Sequence, residues 1–138
     1  MRLRARAVAL VAAAAVVGSA CGGSSGSSGS GGAASCSPQG TSLNLLARVT
    51  TFDTSCLAAP ANTAFTIVLD NQDAGVPHSV SIFSSNPTVD ANATELFKGA
   101  VVTGPTQVTY HVHALAPGRY FFECAVHPTQ MNGTLVIG

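Results

Sequence analysis

Apolar side chains return at every second position through the C-terminal two-thirds of this chain. In FTIVL, Phe65, Ile67 and Leu69 share one side. In HSVSIF, His78, Val80 and Ile82 share a side, and Ser79 and Ser81 lie opposite. In YFFEC, Tyr120, Phe122 and Cys124 share a side, and Glu123 lies opposite. A period of two belongs to the β-strand, whose successive side chains leave on opposite faces. These runs are separated by turn-forming stretches such as DNQDAGVP and LAPG, the punctuation of short strands. The pattern predicts strands over Leu43–Thr50, Phe65–Asp70, His78–Phe83, Thr106–Leu115, Gly118–Cys124 and Gly133–Ile137. No long amphipathic helix competes, and Asp90–Lys98 has room for one short helical turn. Short strands at this spacing describe an all-β, antiparallel sandwich. Residues 36–138 are enough for one such domain with one core.

The same alternation marks a site. His78 and Cys124 each stand at one end of an inward-facing apolar row. The segment CAVHPTQM then adds His127 and Met131 to Cys124. Two imidazoles, a thiolate and a weak thioether are the donor set of a mononuclear blue-copper centre. Other readings fit less well. A cysteine–histidine nucleophilic pair needs a third group to orient the base and an oxyanion site, and two donors on one tight turn favour chelation. A dinuclear copper centre needs a second bridging cysteine in the loop, where only Cys124 stands. Tetrahedral zinc is poorly served by methionine. The remaining alternative places Cys124 and Met131 in the core and both histidines at the surface. His111 and His113, in YHVHAL, alternate with Val108, Tyr110 and Val112. They therefore face outward and read as polar surface, not as a second metal site.

With His78 on an earlier strand and C-x2-H-x3-M near the C-terminus, the chain resembles the cupredoxins, the small blue-copper family. The flanking text, DNQDAGVPHSVSIF, LAPGRYFFEC and MNGTLVIG, is similar to that family over residues 42–138. The resemblance implies a Greek-key sandwich with the metal site at one end. It implies one copper ion, cycling between Cu(I) and Cu(II), on His78, Cys124, His127 and Met131. Met131 would be the weak axial ligand. His127 would be the exposed ligand through which electrons pass, with Val126 and Val76-Pro77 around it as a docking patch. Three differences stand out. Ser79 occupies a place where many members have Asn, Ala125 follows the cysteine where an acid is common, and three residues separate His127 from Met131. The implied function is single-electron transfer between redox protein partners. It is not enzymatic, because protein fills every position around the copper. Storage or delivery of copper is the alternative, but such carriers often use several methionines, and this chain has two, one of them Met1.

The N-terminus indicates the compartment. Arg2, Arg4 and Arg6 precede an apolar run from Ala7 to Val17, then Gly18-Ser19-Ala20 and Cys21. Residues 1–20 read as a secretory signal peptide, too short in its apolar part to cross a bilayer. A cysteine at this point resembles a bacterial lipoprotein signal, in which Cys21 becomes the lipidated first residue and holds the protein to the membrane. Gly18 departs from the usual Leu or Val, and a released secreted protein is the alternative. Residues 22–35, almost all Gly and Ser, form a tether spanning roughly 20 Å root-mean-square. With Cys21 lipidated and Cys124 on the metal, Cys36 and Cys56 remain, and outside the cytoplasm they are expected to pair. Two reduced thiols are the alternative. Without the signal, the chain keeps Arg48, Lys98 and Arg119 against Asp53, Asp70, Asp73, Asp90, Glu95 and Glu123. This acidic balance, without a basic cluster, argues against nucleic acid as a partner. A monomer is expected.

Overall fold

The computed structural model describes Cys36 and residues 39–138. The expected signal peptide at 1–20, the expected lipid site Cys21 and the expected tether over 21–35 lie outside the described residues. Ten strands follow in chain order. They are β1 (Ser42–Ala47), β2 (Cys56–Ala59), β3 (Phe65–Asn71), β4 (Pro77–His78), β5 (Ser81–Phe83), β6 (Glu95–Lys98), β7 (Val102–Thr103), β8 (Thr106–Val112), β9 (Gly118–Glu123) and β10 (Asn132–Ile137). One sheet has the order β1-β3-β8, the other β2-β10-β9-β5-β6, and β4 pairs with β7 in a small third sheet.

The period-two pattern explains why the two larger sheets face each other. Leu43, Leu45, Ala47, Phe65, Ile67, Leu69, Tyr110 and Val112 bury one face of the first sheet. Leu57, Ala59, Ile82, Phe122, Leu135 and Ile137 bury the facing side of the second. Each large aliphatic or aromatic side chain removed from water in this way stabilises the fold by about 1.5–3 kcal/mol. The result is the sandwich that the alternation predicts, in the Greek-key form that the resemblance implies.

Among the named strands, pairing is antiparallel except in two places. β1 runs parallel to β3, and β2 runs parallel to β10. The cause is the crossover at β2, which lies between β1 and β3 in sequence but belongs to the opposite sheet. β1 and β3 therefore climb in the same direction. β2 is a strand that the alternation did not reveal. The stretch Asp90–Lys98 opens with one short turn, closed by the Ala93 amide on the Asp90 carbonyl, and its second half is β6, paired with β5. The run His78–Phe83 is split, because β4 pairs with β7 while β5 pairs with β9 and β6. The first strand stops at Ala47, where the chain reverses through Arg48–Thr51. Ser79, Ser81 and Glu123 do leave the inward face, but they are buried as well. Ser81 pairs with both Glu123 and Lys98, so longer side chains on the same face shield it. Its hydroxyl has no hydrogen-bond partner. Burial, with a smaller contribution from Glu95, raises the Glu123 carboxyl above its usual range.

Cys36 and Cys56 form a disulfide, with Cα atoms 5.6 Å apart. Closing a separation of 20 residues is worth about 3 kcal/mol on the chain-entropy account.

Gly133 offers a direct check of this packing. A Cβ there would collide with the Ser55 carbonyl oxygen and would lie 2.6 Å from the Phe122 ring. Neither neighbour is free to give way, since one is backbone and the other is a core aromatic. Gly133→Ala is expected to lower unfolding stability by about 1–3 kcal/mol. Denaturant titration measures this, and an unchanged midpoint would contradict the close approach of β10 to β9 and the Ser55 segment.

Candidate metal centre

The metal end is built by two segments. The first leaves β3 at Asn71, which is fully buried and clamps the loop that follows. Its Nδ2 donates to the carbonyls of Val76 and Val102, at 2.9 and 3.0 Å, and its Oδ1 accepts the Asp73 amide at 3.0 Å. Gly104 closes against this clamp, because a Cβ there would strike the Asp73 carbonyl and the Asn71 side chain. The clamped loop delivers His78, which is buried completely.

The second segment leaves β9 at Cys124 and folds back on itself. The Cys124 amide donates to the Met131 carbonyl at 2.8 Å. The amides of Gln130 and Met131 donate to the His127 carbonyl, and the His127 amide donates to the Cys124 carbonyl. Asn132 Nδ2 donates to the Pro128 carbonyl at 2.8 Å. Pro128 has no amide hydrogen to satisfy, which suits a turn residue. Cys124 and Met131 are buried completely, whereas His127 is partly exposed and Val126 beside it is 40 % exposed.

Three donors meet between the segments. Cys124 Sγ lies 3.8 Å from His78 Nδ1 and 3.9 Å from His127 Nδ1. The three ligand atoms fall within 4.8 Å of one another. A first-row ion takes about 2.0 Å to an imidazole nitrogen and about 2.3 Å to a thiolate, so a single ion fits among donors at this spacing. Met131 is joined to both Cys124 and His127 through its backbone, and its side chain lies in the core. His111 and His113 are exposed and outside this group, as their alternation predicts.

Ser79 connects the two segments. Its Oγ accepts the Ala125 amide at 3.2 Å, so the residue after the first histidine ties down the loop of the other ligands. A serine is long enough for this task.

Asp73 is the residue that the sequence reading did not single out. Its carboxylate accepts the amides of Val49 (2.6 Å) and Thr50 (2.8 Å), and its Oδ2 lies 2.9 Å from His78 Nε2. Val49 and Thr50 both have φ of 52°, a left-handed backbone that β-branched residues rarely adopt. Two successive amides in this conformation make a concave anion seat, and Asp73 occupies it. The only signal in the sequence is one Asp among turn residues, five positions before His78.

A family model described as a cupredoxin-like domain matches residues 10–137. The chain belongs to that family. Solved structures agree in fold. Auracyanin A, described as a "blue" copper protein from Chloroflexus aurantiacus, aligns with a TM-score of 0.62 and 18% identity, covering 72% of this chain and 99% of that one. Reduced auracyanin from Roseiflexus castenholzii gives 0.60 and 15%, covering 71% and 97%. Amicyanin from Paracoccus versutus gives 0.50 and 23%, covering 70% and 81%. No curated protein matches the sequence.

Two outcomes are expected at this site. Ser79→Ala leaves the Ala125 amide without its partner and is expected to cost about 1 kcal/mol, read by denaturant unfolding of the metal-free protein. Equal stability would show that the tie is dispensable. The second concerns acid. The Thr50 amide, then His78 and the Val49 amide, hold the Asp73 carboxyl down at about 2, below its ordinary 3.8. A lowered carboxyl favours the fold while ionised, so its contribution is complete above the ordinary value and is lost as pH falls through the lowered one. The stability difference between the native protein and Asp73→Asn is therefore expected to shrink as pH falls from 3.8 toward about 2. A difference that does not change over this window would contradict the assigned contacts.

Proposed function

We propose that this cupredoxin is a mononuclear blue-copper protein that carries single electrons outside the cytoplasm. The observation that carries this reading is the convergence of His78 Nδ1 and His127 Nδ1 on the one free, buried thiol among the described residues, Cys124. Soft sulfur with two imidazoles suits copper above the other first-row ions. Bound copper supplies a one-electron couple between Cu(II) and Cu(I).

The protein residues explain the rest. Cys124 binds as thiolate, because coordination deprotonates a thiol. His78 and His127 would complete the strong set, and Met131 would be the weak donor. The closed hydrogen-bonded turn from Cys124 to Met131 and the Ser79 tie keep these donors in place in both oxidation states. Little rearrangement would then accompany electron transfer. His127 is the ligand that reaches the surface, and Val126 beside it offers apolar contact to a redox protein partner. With four protein donors, no position is left for a substrate, so the reading is a carrier, not an enzyme. Complete burial of His78, Cys124 and Met131 favours retention of copper over handing it on. Cys21 as a lipid site, followed by the tether, would keep the domain at the membrane surface.

The test is direct. Metal-free protein given Cu(II) is expected to bind one ion and become intensely coloured through thiolate–copper bonding. The copper should stay bound through repeated reduction and reoxidation. Cys124→Ser is expected to abolish the colour, and colour that survives excludes this thiolate. Met131→Leu keeps an apolar side chain of similar volume, a change that cores tolerate. It is expected to retain copper and colour but to raise the reduction potential, since loss of a donor disfavours Cu(II) more than Cu(I). An unchanged potential would make Met131 a packing residue.

A further inference from the structure

We propose that Asp73 is a positioning residue of the copper centre, which fixes the tautomer of His78 and holds the reduction potential down. The inference rests on the copper reading above.

A neutral imidazole has one N–H and one lone pair. An ionised carboxylate can only accept, so Asp73 Oδ2 at 2.9 Å from His78 Nε2 requires the proton on that nitrogen. The lone pair is then on Nδ1, the atom 3.8 Å from Cys124 Sγ. His78 is fully buried, so bulk water does not offer Nε2 another partner. Carboxylates that orient a ligating histidine in this way also raise its donor strength, and losing one commonly costs 10–100-fold in metal affinity.

Asp73 also brings charge. Among the described residues its one ion-pair contact is His78, and no Lys or Arg neutralises it. A negative charge one imidazole away from the ion favours the more positive oxidation state. The two left-handed amides that grip the carboxylate keep it from rotating off the ring. The turn at Val49-Thr50 is therefore part of the support for the ligand, although neither residue touches the thiol.

The experiment separates this role from simple support of the turn. Asp73→Asn can still accept from His78 and Thr50 through its amide oxygen but lacks the charge and the acceptor for the Val49 amide, whereas Asp73→Ala lacks every acceptor. In copper-loaded Asp73→Asn, the preference for Cu(II) over Cu(I) is expected to fall roughly tenfold. This equals a rise of ~59 mV for a one-electron couple. A folded Asp73→Asn protein with the native potential would overturn the proposal. Nitrogen-15 NMR of the metal-free native protein, at a pH where the spectrum itself shows a neutral ring, should show His78 protonated on Nε2. In Asp73→Ala this single tautomer should be lost. His78 protonated on Nδ1 in the native protein would refute the assignment even if no Asp73 variant folds. If the native protein takes up no copper, the copper reading fails, and the tautomer measurement still decides whether Asp73 controls His78.

Discussion

The register between β5 and β9 is the constraint on which the metal end depends. Ser81 faces Glu123, Ile82 faces Phe122 and Phe83 faces Phe121. Continuing that ladder past its end brings the chain before β5 beside the chain after β9, which is where His78 and Cys124 meet. A slip of one residue would exchange the two faces of β9, withdrawing Phe122 from the core and turning Cys124 away from the histidines. Packing therefore selects the metal geometry. The apolar residues that make the sandwich stable are the ones that fix the ligands in place.

Within that frame the centre is dry on one side and open on the other. His78, Cys124 and Met131 are sealed in the core, and His127 interrupts the surface. Interactions among charged groups are stronger where water is excluded, so a carboxylate beside His78 has more influence than one beside His127 would have. Burial also raises the Tyr110 hydroxyl to about 12, and negative charge on the Cys124 sulfur adds to the effect. Its hydrogen is given to the Ala100 carbonyl at 2.7 Å.

Much of this was legible in the sequence, because strand parity is a local property. Phe65, Ile67, Leu69, Ile82 and Phe122 could be assigned to the core one by one, and the converging donors stood at the ends of those rows. The parts that were not legible depend on contacts between distant positions. β2 is a short CLAA run in which two alanines carry little strand preference, and only its pairing with β10 makes it a strand. The break between β4 and β5 leaves no mark on the alternation, since it reflects a change of partner strand. For so short a segment as ELFK, helix and strand cannot be told apart by period. Asp73 was hidden for the same reason. Its meaning depends on Val49 and Thr50, more than twenty positions earlier, where a turn of this hand would ordinarily call for Asn-Gly.

The disulfide has a mechanical consequence. Cys36 is joined to Cys56, and Cys56 lies opposite Thr134 in the parallel ladder between β2 and β10. Tension arriving along the N-terminal segment would enter the domain at that bond and pass into β10, and from there into β9. β1, which follows Cys36 in the chain, is bypassed and would not be peeled from its sheet. β2 lies along β10, so a pull directed along the strands would load their hydrogen bonds together in shear instead of opening them in turn. A pull from that side would therefore load the sheet that carries Cys124 and leave the β1-β3-β8 sheet unpeeled.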